Sequence, residues 1–171
     1  MLTTDQQRAA LKAEILADPV LASAPNTPDG ADAIAKAMNA SAAPDFWVWR
    51  TSVSKSEMTN TIGPEGTTFN WVGAGFITRS AGEQAAWREL FGAADSVNAS
   101  RANVRQAFAD IFSGTGNAAA NRTHLLAVAR RKASRAEKLF AAGTGSTASP
   151  ATMSVEGSIS IQDVEESRNL P

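Results

Sequence analysis

The sequence predicts a mainly α-helical protein: a small helical bundle with an irregular or β segment rich in Trp and Gly, and an extended C-terminal arm. One observation is that a Ser or Thr is repeatedly followed, three residues later, by Glu or Gln, which is the capping-box signature of a helix start. Another is that apolar residues of the second half recur at helical spacing. The third is a hydrophobic content of 43% that is rich in Ala and contains only 11 aromatic residues, which favours closely packed helices.

Two helices are predicted in the first 44 residues. The first begins near Thr4, which has Gln7 three residues later, and stops before Pro19 because proline cannot continue a helix. A second, shorter helix places Ile34 and Met38 one turn apart and ends before the next proline.

The middle of the chain is the least regular. Residues 45–53 are rich in strand-forming types but are apolar on both faces. Ser54 and Glu57 form a capping box for a short helix that reaches about residue 61. Residues 63–66 predict a turn, and residues 67–78 predict a loop or irregular strand because glycines interrupt their apolar run.

Three longer helices are predicted in the second half. The first starts at the capping box of Ser80 and Glu83, the second starts at Ser100, and the longest covers about 118–142. We expect these helices to form the core, with the following side chains buried: Trp87, Leu90, Phe108, Ile111, Phe112, Leu125 and Leu139.

The last residues predict an appendage to this bundle. The expected division is a helical domain at 1–143, a flexible linker at 144–152 and a strand-like arm at 153–171. Such an arm either returns to its own domain or adds to another chain, since a lone strand leaves its backbone unpaired. We expect the second outcome, with contacts to another chain made by Val155, Ile159, Ile161 and Val164.

Composition excludes several kinds of chemistry. The absence of cysteine rules out disulfides, thiol catalysis and cysteine-ligated metals, and the net charge of −1 rules out a globally basic nucleic-acid binder. His124 is the only histidine, no nucleophile and orienting group accompany it, and we interpret it as a packing residue. No catalytic, cofactor-binding or metal-binding residue is therefore predicted. With no long apolar run, we also expect no membrane contact.

Short sequence motifs do not predict a nucleotide-binding or a glycosylation site. Gly73-Ala-Gly75 lacks the third glycine and the βαβ context of a dinucleotide loop, and Gly143-Thr-Gly145 lacks the lysine of a phosphate loop. In a protein kept in a cytosol-like compartment, three glycosylation-type triplets are interpreted as chance matches; they begin at Asn39, Asn98 and Asn121.

Basic residues concentrate in the longest predicted helix, at Arg130, Arg131, Lys132, Arg135 and Lys138. Arg131, Arg135 and Lys138 would share a face of that helix. Two interpretations are open: a solvated face that favours the helix C-terminus, or a basic stripe that meets DNA phosphates or an acidic neighbour. The tail, with Glu165 and Glu166, offers one such neighbour.

Four segments resemble a family of small proteins from tailed phages that are encoded beside the capsid and portal genes. They are residues 46–53 (Phe-Trp-Val-Trp-Arg-Thr-Ser-Val), 67–79 (Thr-Thr-Phe-Asn-Trp-Val-Gly-Ala-Gly-Phe-Ile-Thr-Arg), 103–114 and 118–125. The resemblance covers roughly residues 46–164. Within that family the size and outline resemble the head–tail adaptor, or connector, class.

The resemblance implies a structural protein of the virion neck, assembled in the host cytoplasm. Members of the class form a ring, usually of twelve subunits, that binds the portal protein and a tail-side neck protein. Genomic DNA passes through the ring without sequence-specific contacts. The alternatives are another virion component, such as a capsid-associated minor protein or a tail-completion protein, and, third, a small enzyme.

Overall fold

A computed structural model describes residues 2–171, and about 53% of the chain is helical. The predicted mainly α-helical class is confirmed. In chain order the helices are α1 (Asp5–Ala17), α2 (Pro19–Ala22), α3 (Pro28–Asn39), α4 (Lys55–Asn60), α5 (Ala81–Phe91), α6 (Ala102–Ile111), α7 (Asn117–Val128), α8 (Arg135–Leu139) and α9 (Ile161–Arg168). Within residues 2–171, none of these helices combines the length and apolarity needed to cross a bilayer.

Six short strands accompany the helices: β1 (Trp47–Trp49), β2 (Val53–Ser54), β3 (Ser96–Val97), β4 (Arg130–Lys132), β5 (Ala141–Ala142) and β6 (Thr152–Met153). They form three two-stranded sheets, β1 with β4, β2 with β3, and β5 with β6. The last two pairs are antiparallel, with Val53 opposite Val97 and Ala141 opposite Met153.

The chain forms two compact units, which differ from the predicted domain at 1–143. The first unit combines residues 1–48 with 132–171, and the second is the continuous segment 49–131. The predicted boundary was wrong because the last 40 residues belong to the core of the first unit.

The first unit is built around three helices. Thr4 caps α1 in the predicted capping box with Gln7, and Leu11 of that helix is buried. Ile34 and Met38 of α3 are also buried, as is Val164 of α9, and all of them belong to one apolar cluster. α9 contacts both α1 and α3, so the C-terminal residues complete this core.

The second unit has an aromatic core on α5, α6 and α7. The predicted capping boxes of Ser54 with Glu57 and Ser80 with Glu83 both form. As predicted, Trp87, Phe108 and Phe112 are buried in this core, together with Ile111 and Leu125. Leu139, expected beside them, instead packs partly buried in the first unit.

The long helix predicted at about 118–142 does not exist as one element. α7 ends at Val128, residues 130–132 pair as a strand, and α8 starts again at Ser134, which caps it in a capping box with Glu137. The spacing of Ser134 and Glu137 was itself a start signal. Strand pairing between segments some eighty residues apart overrode the helical preference of the sequence between them.

The predicted strand-like arm is also wrong. Residues 161–168 are helical, and Ser160 caps α9 in a capping box with Asp163. Val155, Ile159 and Val164 are buried in the first unit, while Ile161 is 40% exposed. Val155, Ile159 and Val164 therefore serve the chain's own fold rather than an arm that extends to another chain.

The segment predicted as a flexible linker, 144–152, is packed in part: Gly145, Pro150 and Ala151 are buried, while residues 146–149 are exposed. The carbonyl of Gly145 accepts the N–H of Trp47 at 2.7 Å, and Ala151 is buried beside Val48. Gly145 has φ +64°, and a Cβ there would lie 2.1 Å from the ring of Phe46. Small residues are needed here because the backbone approaches its neighbours closely.

Replacement of Ile159 tests whether the tail is part of the core. Ile159→Ala should lower the free energy of unfolding by roughly 2–5 kcal/mol, since it removes a fully buried branched side chain. The matched control, Ile161→Ala, changes an exposed residue two positions away and should cost within ~0.5 kcal/mol. Urea unfolding of the isolated chain gives both values. Equal and negligible effects would mean that the tail is mobile after all.

Candidate interaction loop

The five predicted basic residues do not lie on one helix: Arg130, Arg131 and Lys132 belong to β4, and Arg135 and Lys138 belong to α8. Arg135 is bound within the first unit, where its guanidinium lies 2.8 Å from a carboxylate oxygen of Glu14 and 2.6 Å from one of Asp18. The hydrogen bond from Arg135 is the largest cause that lowers the pKa of Asp18. Arg135 is thus committed to two carboxylates of its own chain.

The other basic residues are dispersed too. The Lys132 ammonium lies 2.7 Å from Asp45, and that of Lys138 lies 5.8 Å from the ring centroid of Phe46. Arg130 and Arg131 belong to β4 in the second unit. The shared helix face predicted for Arg131, Arg135 and Lys138 is therefore not formed, because the single helix that would have aligned them is interrupted.

A different feature stands out in the second unit: residues 70–78, here called the interaction loop. Three of its large apolar side chains are exposed, by 41% for Trp71, 70% for Val72 and 66% for Ile77, while Phe76 packs partly buried against the core. No charged residue occurs from position 67 to position 78. Exposed apolar side chains that are grouped in this way mark sites of contact with other molecules.

The buried carboxamide of Asn121, on α7, holds the backbone of the interaction loop. Its Oδ1 accepts the N–H of Asn70 at 2.7 Å, and its Nδ2 donates to the carbonyls of Asn70 and Gly75, each at 3.0 Å. Asn121 is fully buried, and its bond to the Gly75 carbonyl is shielded from water, while the two bonds to Asn70 are part-buried. Three backbone groups of an irregular segment are satisfied by one side chain.

Local bonds close the turn of the loop. The carboxamide oxygen of Asn70 accepts the N–H of Val72 at 2.8 Å, and Ile77 donates its N–H to the carbonyl of Trp71 at 3.2 Å. Residue 75 has to be glycine, because a Cβ there would lie 2.2 Å from the Asn70 carbonyl oxygen. The loop is therefore a specified turn.

Aromatic contacts connect the loop to the core. Phe69 stacks on the buried Trp87 with ring centroids 5.6 Å apart. Trp71 packs its ring edgewise against Phe69 at 4.8 Å and against Phe76 at 5.1 Å. One side of Trp71 is thus fixed by packing, while the other side remains available to a partner.

His124 lies one turn after Asn121 on α7 and supports the segment that precedes the loop. Its Nε2 donates to the carbonyl of Met58 at 2.9 Å, and its Nδ1 lies 3.2 Å from the hydroxyl of Thr67. Burial lowers the pKa of His124, against the effect of its hydrogen bond to Met58. The ring is consequently neutral near pH 7, in agreement with its interpretation as a packing residue.

The exposed part of the interaction loop is apolar and uncharged. Within residues 2–171, no group of three or more His, Asp or Glu side chains is arranged to hold a metal ion. The loop offers uncharged apolar side chains on a turn that its own hydrogen bonds define. Such a surface suits the dry centre of a protein interface, where aromatic anchors dominate the affinity.

Sequence reasoning did not identify the residue that holds this loop. Asn121 was noted only as the start of a chance glycosylation triplet. A polar residue in a predicted helix between Ala118 and Leu125 was the available signal, because a buried carboxamide requires partners. Which backbone groups it would reach depends on contacts about 50 residues away in sequence.

Comparison with known protein families, with curated protein sequences and with solved structures finds no match to this chain.

Removal of the Asn121 carboxamide should loosen the loop. Asn121→Ala removes the partner of the buried Gly75 carbonyl and of the two part-buried backbone groups of Asn70, so we expect a loss of roughly 1–3 kcal/mol and faster amide exchange at Asn70. Asn60→Ala, at an exposed asparagine on α4, is the matched control. Exchange at Asn70 that is unchanged in Asn121→Ala would contradict the proposed anchoring.

The lowered pKa of His124 predicts a specific dependence of stability on pH. Above the ordinary value of 6.5 the ring is neutral in both states, and its contribution is fully present. As the pH falls below 6.5 the unfolded chain takes up a proton that the folded chain resists, so stability should decrease towards pH 5.

The matched variant for this prediction is His124→Gln, which removes the only histidine. It should be less stable at pH 7 but nearly flat between pH 7 and 5. The capping carboxylates Glu57 and Glu83 stay ionised in that window, since hydrogen bonds from Ser54 and Ser80 respectively lower their pKa values. Unfolding measured at several pH values gives the slopes. An equal slope in both proteins would assign the effect to another group.

Proposed function

We propose that this protein is a non-catalytic structural component of a tailed-phage virion, of the head–tail adaptor class. The resemblance of residues 46–164 to phage neck-region proteins supports the proposal. The interaction loop lies inside one of the resembling segments, 67–79. A surface built for contact is therefore present in the part of the sequence that carries the resemblance.

The observation that carries the proposal is the combination of exposure and order in this loop. An enzyme concentrates buried polar groups around a pocket where a substrate reacts. Here a buried Asn121 is used to hold a turn at the surface, and the turn displays Trp71, Val72 and Ile77. Ordered apolar display of this kind suits a subunit that functions by attachment to other proteins.

The proposed partners are sister subunits in a ring, the portal protein on one side and a tail-side neck protein on the other. Genomic DNA would pass through the ring without base-specific contacts. A continuous basic stripe is not part of this proposal, because Arg135 is paired with Glu14 and Asp18. A net charge of −1 is compatible with DNA that passes without being retained.

Two measurements test the proposal. The purified chain, combined with the portal protein of the phage that encodes it, should form a complex whose images show a ring with a central opening. In intact virions, labelled copies should be found at the neck alone. Labels spread over the capsid lattice would favour a capsid-associated minor protein, and a monomer with catalytic turnover would overturn the structural role.

A further inference from the structure

The first unit carries an apolar groove on the outer side of α1. It has a volume of about 460 Å³, and its lining includes Asp5, Ala9, Lys12, Ala13, Leu16 and Leu170. Ala9 and Ala13, on successive turns of α1, form the floor of the groove because their side chains are short. Leu16, which is 65% exposed, lies at one end. We call this feature the α1 groove. Its size lies within the roughly 300–1,000 Å³ of sites that enclose small apolar groups.

Exposed apolar side chains elsewhere are few. Among the described residues, seven large hydrophobic side chains are exposed: Leu16, Val20, Ile62, Trp71, Val72, Ile77 and Ile161. Three of the seven are on the interaction loop, Leu16 lines the α1 groove, and Val20 follows it at the start of α2. The two main apolar surfaces of the chain are thus a protruding turn in one unit and a concave groove in the other.

Charge also matches between the two surfaces. The interaction loop has no charged residue. Each charged side chain that lines the α1 groove has a partner in its own chain, since Asp5 pairs with Arg8 at 3.0 Å and the Lys12 ammonium donates a hydrogen bond to the carbonyl of Leu170. An occupant of this groove should therefore be uncharged and apolar, because a charged one would be buried without a partner.

We propose that the interaction loop of one copy of this protein docks in the α1 groove of a second copy. The loop supplies Trp71 and Val72 as anchors, and the groove supplies a floor of alanines that a tryptophan ring can cover. Because the two surfaces are different patches of the same chain, the contact is head-to-tail, and repetition gives a closed ring or an open filament. This contact would be the one between sister subunits in the proposed function, and the expectation of a closed ring rests on that proposed function.

Two variants separate the two surfaces. Val72→Asp with Ile77→Asp charges the loop and leaves the packing of Trp71 on Phe69 and Phe76 in place. Ala13→Arg fills the groove at an exposed helical position, where arginine is a good helix former. The matched controls are Ile62→Asp for the loop and Ala86→Arg, on exposed α5 surface, for the groove.

Sedimentation of the purified full chain, over concentrations up to millimolar, is the measurement. The wild type and both controls should self-associate, and each variant should associate at least about tenfold more weakly. A mixture of the loop variant with the groove variant retains one intact loop and one intact groove. That mixture should give a one-to-one heterodimer and nothing larger.

Several results would overturn the loop-to-groove contact. They are a wild type that stays monomeric throughout, variants that assemble like the wild type, or a mixture that forms no heterodimer. A monomeric wild type that sediments with phosphatidylcholine vesicles through Trp71 would assign the loop to a lipid surface instead. Failure of the adaptor role is distinguishable, since the chain would then self-associate as described but form no complex with a portal protein.

Discussion

Irregular backbone inside a protein needs hydrogen-bond partners, and in each unit one asparagine carboxamide supplies them. Asn121 bonds both backbone groups of Asn70 and the carbonyl of Gly75. Asn39, at the end of α3, bonds both backbone groups of Ile159, each at 2.8 Å. In both places the carboxamide bonds the backbone N–H and C=O of one residue, as a neighbouring strand does in a sheet. Most of what is unusual about the fold, a displayed turn and a tail folded back, depends on these two residues.

Local signals in the sequence predicted where several helices start. They did not predict the elements that depend on pairing between distant segments of the chain. The capping boxes at Thr4, Ser54 and Ser80 were predicted and are present. The same spacing at Ser134 and Glu137 lies inside the segment predicted as one helix, because apolar residues such as Leu125 and Leu139 recur there at helical spacing. The interruption at residues 130–132 results from strand pairing, which no local pattern encodes.

The predicted strand-like arm was wrong for a related reason, since contacts with distant segments decide its structure. Small and polar residues predict a segment that does not pack, whereas Gly145 lies against Phe46, and Ala151 lies beside Val48, because both residues are small. Likewise, the candidate site could not be predicted from charge patterns, since Arg135 finds its carboxylates on α1 and at the start of α2. The apolar run within residues 67–79 is visible in the sequence, but its exposure depends on the hydrogen bonds of the Asn121 side chain to Asn70 and Gly75.

The discontinuity of the first unit has a consequence for synthesis on the ribosome. Asn39 leaves the ribosome 120 residues before its partner Ile159. At the usual translation rates this is a wait of roughly 6 to 24 seconds. The second unit, being continuous, has all of its residues available before the first unit does. During that interval α1 and α3 expose the apolar faces that α9 will later cover, so the nascent chain depends on chaperones or on rapid completion to avoid aggregation.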